Sequence, residues 1–198
     1  IIALELDRKR LHALMQEAPK KIDFRIIRKI GIKGFLFSLF GAWAEKKLGK
    51  LVGVAPGSEM KQAVKIAKKE NIELALVDQD IEVTLQRLSK AITWKEKMNF
   101  LIDVIKALFT RKRLIEFDLT TVPDKKIIKE LTNKLKERYP NVYKVLIEER
   151  NSVIAGNIKK LMHSNLDKKI LVILGAGHID DVLELIKEPK INFSFKIG

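Results

Sequence analysis

The hydrophobic pattern of the chain predicts three buried β-strands. They are Ile1–Leu6, Ile72–Val77 and Lys169–Leu174, and each is almost entirely apolar. An apolar run of this length without alternation is typical of a strand in a parallel sheet covered on both faces. A fourth run, Ile191–Ile197, alternates apolar with polar residues, and this period of two predicts an edge strand.

Helical periodicity predicts the segments that connect these strands. The predicted helices cover residues 8–17, 24–48, 58–70, 81–91, 94–110, 124–138 and 142–163. Pro56-Gly57-Ser58 is a helix-start pattern, with Ser58 as the N-cap. Helices that alternate with strands indicate an α/β fold, with a mostly parallel central sheet flanked by helices. We expect a single domain over residues 1–198, with helix-rich elaborations at 24–48 and 81–163.

The amino-acid composition excludes several kinds of scaffold and site. The 198 residues include 39 basic and 25 acidic side chains, a net charge of +14, and no cysteine. Without cysteine there is no disulfide scaffold, no cysteine-ligated metal and no thiol nucleophile. The longest uncharged tract, Gly34–Ala44, is shorter than the roughly 20 residues of a membrane-spanning helix. Four glutamines, against abundant lysine, isoleucine and glutamate, favour a thermophile.

The positive charge is concentrated near the start of the chain. Residues 8–50 contain 12 basic and 3 acidic residues, and segment 24–44 combines basic residues with an aromatic tract. Such a segment can lie on an anionic membrane surface or pack against a partner helix; the alternative is a subdomain helix whose aromatic residues enter the core. We disfavour nucleic acid as a partner, because no binding motif is present and the aromatic residues do not alternate with basic ones.

Polar residues follow each of the three buried strands. They are Glu5 and Asp7 after the first, Asp78 and Asp80 after the second, and Gly175-Ala176-Gly177-His178 after the third. Because the carboxyl ends of parallel strands meet at one edge of a sheet, we expect these groups to converge. Gly175 and Gly177 allow a tight turn that holds the histidine close. Carboxylates with a histidine suit a divalent metal ion, and the alternative for each aspartate is a helix cap.

A second candidate group lies on the helix predicted from Val142. At 100° per residue, its apolar stripe has Glu149 near the centre, with Arg150 one step round and Asn151 nearer the opposite side. A carboxylate in that position is paired, protonated or bound to a cation, because burial alone is costly. An internal Glu–Arg pair and a functional role both remain open. Glu59 has a simpler explanation in the helix dipole, since it lies in a first turn.

Five short blocks of the sequence carry a family resemblance. They are Ala3–Arg8 (ALELDR), Ala55–Met60 (APGSEM), Val77–Arg87 (VDQDIEVTLQR), Glu149–Asn151 (ERN) and Gly175–His178 (GAGH). In this order they resemble the motifs of the TraB/PrgY family, the pheromone-shutdown proteins with archaeal relatives. Gln79 departs from the pattern, because the family usually has arginine there.

The resemblance implies membership of a wider group with Tiki-type metalloproteases, erythromycin-esterase-like enzymes and ChaN-like haem-binding proteins. That group shares an α/β core and a pair of GxxH motifs. His178 would belong to the second motif, whereas the first, expected just before Ile1, is absent from this sequence. Because TraB-like proteins often continue into transmembrane helices, we expect a fragment: the cytoplasmic, soluble domain of a longer membrane-associated protein.

The resemblance also implies a function, a metal-dependent hydrolase that acts on a peptide or small signal. The expected ligands of a divalent ion (Mn²⁺, Co²⁺ or Zn²⁺) are His178, Glu5, Asp78 and Asp80. Glu149 or Glu59 would be the general base and Arg150 or Arg87 would stabilise the oxyanion. The remaining binding residues would be Gly175, Gly177 and Asn151. The alternative is a non-catalytic module that binds a peptide or signal at the membrane, and an oligomer is left open.

Overall fold

The computed structural model describes residues 1–16, 57–109 and 125–188 of the chain. The predicted helix 24–48, the basic aromatic segment 24–44 and the predicted edge strand Ile191–Ile197 lie outside these residues. In the described ranges, no helix is both long enough and apolar enough to cross a bilayer.

A parallel three-stranded sheet forms the centre of the described structure. Its strands are β1 (Ile2–Leu4), β2 (Leu74–Leu76) and β3 (Leu171–Ile173), in the order β2-β1-β3. Ile2 lies opposite Leu74 and Leu171 in the two ladders. Each strand lies inside its predicted run but is shorter than predicted. The parallel arrangement brings the three carboxyl ends to one edge, as the sequence predicts.

Helices connect and flank the strands, which confirms the α/β class. The described helices are α1 (Arg8–Met15), α2 (Ser58–Lys69), α3 (Ile81–Ala91), α4 (Trp94–Phe109), α5 (Lys125–Arg138), α6 (Pro140–Tyr143), α7 (Glu149–His163) and α8 (Ile179–Lys187). Helix α8 was not among the predicted helices, although Val182, Leu185 and Ile186 have helical spacing and pack into the core.

Among the described residues, two hydrophobic clusters cover the sheet, one on each face, and a third forms around Leu88 and Val145. Side chains alternate along β1, so Ile2 and Leu4 pack with α2 residues such as Val64, whereas Ala3 packs on the other face with Ile154 of α7 and Val182 of α8. All three residues of β1 are buried. A central strand covered on both faces explains why its sequence has no polar alternation.

The start of α2 differs from the prediction by one residue. Gly57, not Ser58, is the N-cap, with a left-handed φ of 76°, and Ser58 is the first residue of the helix. Glycine adopts this conformation without the strain of a side chain. A Cβ atom there would also lie 3.1 Å from the side chain of Leu14.

A π-helical turn, Lys144–Glu148, joins α6 to α7. A π turn inserts an extra residue and so rotates the following helix relative to regular 3.6-residue spacing. As a result α7 turns Asn151 and Ile154 toward the core, and Asn151 is only 2% exposed. The expectations that Glu149 is centred on the buried stripe and that Asn151 faces away are therefore wrong, because both assumed an uninterrupted helix.

Glu96 joins the helical segments by capping two helices at once. Its carboxylate accepts hydrogen bonds from the backbone N–H and hydroxyl of Thr93, which precedes α4, and from the backbone N–H of Asn141 in α6. Burial alone would raise the pKa of Glu96, but these hydrogen bonds outweigh it and hold the pKa below its usual value. The residue is 3% exposed, so this is a buried carboxylate held by amide and hydroxyl donors.

Candidate functional site

Five charged side chains form an ionic cluster at the carboxyl ends of β1 and β2. The strand-end cluster consists of Glu5, Asp7, Arg10, Asp78 and Arg150. Its carboxylates follow β1 and β2 directly, and its guanidinium groups come from α1 and α7. The side chains of Asp78 and Arg150 are 0% and 15% exposed. Charged groups so far from water are stable only when they are paired.

Arg150 is the central cation of the strand-end cluster. Its Nη2 donates to Oε1 of Glu5 at 2.5 Å and also to Oδ2 of Asp78, while its Nε lies 3.2 Å from Oδ1 of Asp78. Its Nη1 donates over a longer distance, 3.3 Å, to the carbonyl of Leu146. Arg150 therefore links the residues that follow β1 and β2, and the contacts of Nη1, to the carbonyl of Leu146 and to Nε2 of His178 at 3.4 Å, are the longest that this side chain makes.

Arg10 completes the neutralisation of Asp78 from the other side. Its Nε donates to Oδ2 of Asp7 at 2.6 Å and its Nη2 to Oδ2 of Asp78 at 2.5 Å. Burial alone would raise the pKa of Asp78, but the hydrogen bonds and charges of Arg150 and Arg10 outweigh it and keep the pKa low. Asp78 is therefore ionised at neutral pH. Asp7 also caps α1, accepting from the backbone N–H of Lys9 and Arg10.

His178 lies beside the strand-end cluster in a fixed orientation. Its Nδ1 is 2.5 Å from Oδ1 of Asn151, whose Nδ2 donates to Oδ2 of Asp181 at 2.9 Å. Because Asp181 fixes the amide orientation, Oδ1 of Asn151 faces the ring as an acceptor and Nδ1 carries the proton. The lone pair of Nε2 then accepts a long hydrogen bond from Nη1 of Arg150 at 3.4 Å, and Nε2 lies 3.5 Å from Oε1 of Glu5.

The imidazole of His178 is held in its neutral form. Burial lowers its pKa, and the charge of Arg150 acts in the same direction, whereas Glu5 opposes both. Since the usual pKa of histidine is about 6.5, the ring is unprotonated at pH 7. A neutral imidazole with one nitrogen held and the other directed at charged groups can accept a proton or donate a lone pair.

The GAGH turn positions His178 against Glu5. The backbone N–H of Gly175 donates to Oε2 of Glu5 at 2.6 Å, and the N–H of His178 donates to the carbonyl of Gly175 at 2.9 Å. A Cβ atom on Gly175 would lie 3.2 Å from Oε2 of Glu5, so glycine permits this close approach. Around Gly177 the space is open, and nothing in the structure explains a glycine there.

Glu149 forms an ion pair with Arg87 of α3. Nε and Nη2 of Arg87 donate to the two carboxylate oxygens at 2.9 and 2.5 Å. The hydrogen bond from Arg87 lowers the pKa of Glu149. The sequence left open an internal Glu–Arg pair, and Glu149 does pair with an arginine, but the partner is Arg87 on the neighbouring helix and the pair is not inside the core. The pair lies toward solvent, since the side chain of Arg87 is 58% exposed.

Asp80 and Glu59 have local roles in the structure. Asp80 is the N-cap of α3 and forms an ion pair with Lys9 at 2.9 Å. Glu59 is exposed in the first turn of α2, where the helix dipole explains it. The structure thus brings together Glu5, Asp78, Arg150, Asn151, Gly175 and His178, while it gives other partners to Glu149, Arg87 and Asp80.

Two residues of this site, Arg10 and Asp181, were not predicted from the sequence. Arg10 was not selected, although its position three residues after a helix-capping Asp7 is a usable signal for a local pair. Asp181 was not selected either, and its contact with Asn151 joins residues 30 positions apart. That contact depends on how α7 packs against α8, which no local pattern encodes.

The described residues do not by themselves fit a metal centre. A catalytic zinc site, for example, has three protein ligands at about 2 Å. Among the residues with described side chains, no group of three or more histidine, aspartate and glutamate residues is arranged to hold a metal ion. The guanidinium of Arg150 lies between the predicted ligands Glu5, Asp78 and His178. Binding of a Mn²⁺, Co²⁺ or Zn²⁺ ion by Glu5, Asp78 and His178 therefore remains a prediction from the sequence.

Parallel strands covered by helices, with a histidine and an ionic cluster at the strand ends, define an α/β domain with a polar cluster at the carboxyl edge of its sheet. The chain belongs to the TraB/PrgY/gumN family, and a sequence model of that family matches residues 1–193. This confirms the family that the five blocks predict.

One curated relative is an uncharacterized protein of the archaeon Methanocaldococcus jannaschii, 35% identical over 191 residues. The match covers 94% of this chain but 46% of that protein, so the chain spans less than half of the relative's length. No solved structure matches the chain.

Proposed function

We propose that this TraB-family domain is a hydrolase that cleaves a peptide, with His178 as the general base. The observation that carries the proposal is the orientation of His178. Asn151 holds Nδ1, burial keeps the ring neutral, and Nε2 lies within 3.5 Å of both Glu5 and Arg150. The choice of a peptide rests on the resemblance to the group that contains the Tiki-type metalloproteases.

In the proposed reaction, Nε2 of His178 takes a proton from a water molecule whose oxygen attacks the peptide carbonyl carbon. Glu5 stabilises the imidazolium that forms, because its carboxylate is 3.5 Å from Nε2. Nη1 of Arg150, which makes the longest hydrogen bonds of that side chain, donates to the developing oxyanion. The imidazolium then gives its proton to the leaving amine as the C–N bond breaks.

His178 is a better candidate for the general base than Glu149. Both carboxylate oxygens of Glu149 accept short hydrogen bonds from Arg87, whereas Nε2 of His178 has only long contacts and can more readily take a proton from water. Arg87 is also engaged through two nitrogens, so Arg150 is better placed to stabilise an oxyanion.

The test is peptide cleavage by the parent chain and by two histidine variants. We expect His178→Gln to lower the rate by about 10²–10⁴-fold, the usual contribution of a general base. His163→Gln is the matched control, because His163 is exposed and its Nδ1 contacts a local carbonyl, that of Lys159. Parallel assays with and without a chelator report on the predicted metal. Equal rates for the parent chain and His178→Gln would contradict the proposal.

A second candidate function is a binding module without turnover, which would hold a peptide or signal. The pairing within the strand-end cluster favours it, because the two guanidinium groups already pair with Asp7, Asp78 and Glu5 and hold these carboxylates in fixed positions. Calorimetry with the same peptides distinguishes the two functions. Stoichiometric binding without products would favour the module, and co-sedimentation with anionic liposomes tests whether it is held at a membrane.

A further inference from the structure

Helix α4 is held to its neighbours in the described structure by a polar side. Glu96 accepts a hydrogen bond from the start of α6, and Asn99 donates to the backbone carbonyl of Arg138 at 3.2 Å. The carboxylate of Asp103 pairs with the guanidinium of Arg138. At 100° per residue, Glu96, Asn99 and Asp103 lie on one side of the helix, so the contacts that hold this side are polar.

The opposite side of α4 is apolar and exposed. Five large apolar side chains there are between 41% and 78% exposed: Trp94, Met98, Leu101, Ile102 and Ile105. They fall within about 100° of the helix circumference and form one continuous row, which we call the outer stripe of α4. An amphipathic helix of a folded domain usually turns its apolar side inward, and α4 has the reverse orientation. A continuous exposed row of this kind is typical of a surface that contacts a partner or a membrane.

Lysines border the outer stripe on both sides. Lys97 lies along one border, where its Nζ is 4.4 Å from the centroid of the Trp94 ring, and Lys95 and Lys106 lie along the other. An apolar row that contains tryptophan and is bordered by lysines is typical of a helix that lies in the interface of an anionic bilayer. The net charge of +14 favours the same partner. A second copy of the chain would bring like-charged borders together, so charge disfavours it as the occupant.

We propose that the outer stripe of α4 binds to the surface of an anionic membrane. The apolar side chains enter the boundary between headgroups and acyl chains, and the bordering ammonium groups contact the anionic headgroups. The contact is peripheral and uses no residue of the strand-end cluster. It therefore stands whether or not a peptide is cleaved or bound there.

Trp94 provides a direct probe of the contact, because the chain has two tryptophans, Trp43 and Trp94. In the full chain with Trp43→Phe, the tryptophan emission comes from the outer stripe alone. Vesicles of equal parts phosphatidylcholine and phosphatidylglycerol should shift this emission to shorter wavelength, and lipids brominated in the acyl chains should quench it. We expect binding to vesicles of phosphatidylcholine alone to be about tenfold weaker or more, because the lysines then have no anionic headgroups to contact.

Co-sedimentation with the same vesicles compares variants with the parent chain. We expect Leu101→Gln to weaken binding by about tenfold or more, because it removes an apolar side chain from the outer stripe. Lys95→Gln combined with Lys106→Gln should weaken binding by about 10–30-fold at low salt and make it less sensitive to added salt. Leu166→Gln is the matched control, because Leu166 is 88% exposed in the turn after α7, and it should leave binding unchanged.

Four results would overturn the proposal. One is a Trp94 emission that anionic vesicles leave unchanged, and a second is equal binding to anionic and neutral vesicles. A third is vesicle binding that Leu101→Gln does not weaken, because another surface would then make the contact. The fourth is a dimer, seen by analytical ultracentrifugation, that Leu101→Gln dissociates, because a second copy would then cover the outer stripe.

Discussion

Two neighbouring residues of α7 form arginine–carboxylate pairs in opposite environments. Arg150 pairs with Asp78 at the end of the sheet, where the two side chains are 15% and 0% exposed. Glu149 pairs with Arg87 of α3, where they are 21% and 58% exposed. Both pairs join an arginine to a carboxylate, and their α7 residues are adjacent in the sequence. The pairs differ mainly in exposure to solvent, so comparing them shows the effect of burial.

Burial changes what each pair contributes to stability. A solvent-exposed pair gains little, because water already solvates both ions and two long side chains must be ordered. A buried pair has lost that solvation, so removing one partner leaves an uncompensated charge in a medium that cannot stabilise it. The inner pair should therefore be the sensitive one, even though both have short hydrogen bonds.

The largest effect should follow from breaking the inner pair. We expect Asp78→Asn to lower the free energy of unfolding by about 3–5 kcal/mol, because Arg150 and Arg10 lose a shared buried counter-ion. Urea denaturation followed by circular dichroism measures the change. Glu149→Gln is the matched control on the outer pair. A loss for Asp78→Asn no greater than that of the control would contradict the comparison.

Glu96 extends the comparison of buried and exposed pairs to a buried carboxylate that is held by N–H and O–H donors instead of an arginine. We expect Glu96→Gln to cost about 1–3 kcal/mol, because the amide can keep some acceptor contacts but places an NH₂ group toward donors. The same urea titration measures it, with Glu130→Gln as an exposed control. A cost equal to that of the control would show that the double cap is unimportant.

The neutral His178 predicts a dependence of stability on pH. Its pKa is lowered in the folded chain, so between that value and about 6.5 the unfolded chain holds a proton that the folded chain does not. Stability should therefore fall as the pH drops below about 6.5. At lower pH, protonation of Asp78, whose folded pKa is also lowered, should reduce it further.

The decline near pH 6 should be absent in a variant that lacks the ring. Melting curves of the parent chain and His178→Gln between pH 5 and pH 8 provide the measurement. The exposed His163 serves as the control position, because His163→Gln should keep the decline. A parent chain whose stability is unchanged across this range would show that His178 is not kept neutral by folding.

The inner pair could be predicted in part from the sequence, because its carboxylates directly follow strands. Runs of apolar residues mark β1 and β2, and parallel strands place Glu5 and Asp78 at one edge. Which side of α7 faces the core could not be predicted. The π turn at Lys144–Glu148 rotates the helix that follows it, and no characteristic residue in the sequence marks this turn. That change turns Asn151 to the core and leaves Glu149 toward α3.

The smallest effect should follow from breaking the outer pair. We expect Arg87→Gln to shift Tm by about 3 °C or less, because Arg87 is largely exposed and water replaces its contacts with Glu149. A double-mutant cycle with Glu149→Gln isolates the pair from other effects of each change. Added salt should weaken the small coupling, since exposed charges are screened. A coupling as large as that between Arg150 and Asp78, unchanged by salt, would mean that pairing rather than burial decides the contribution.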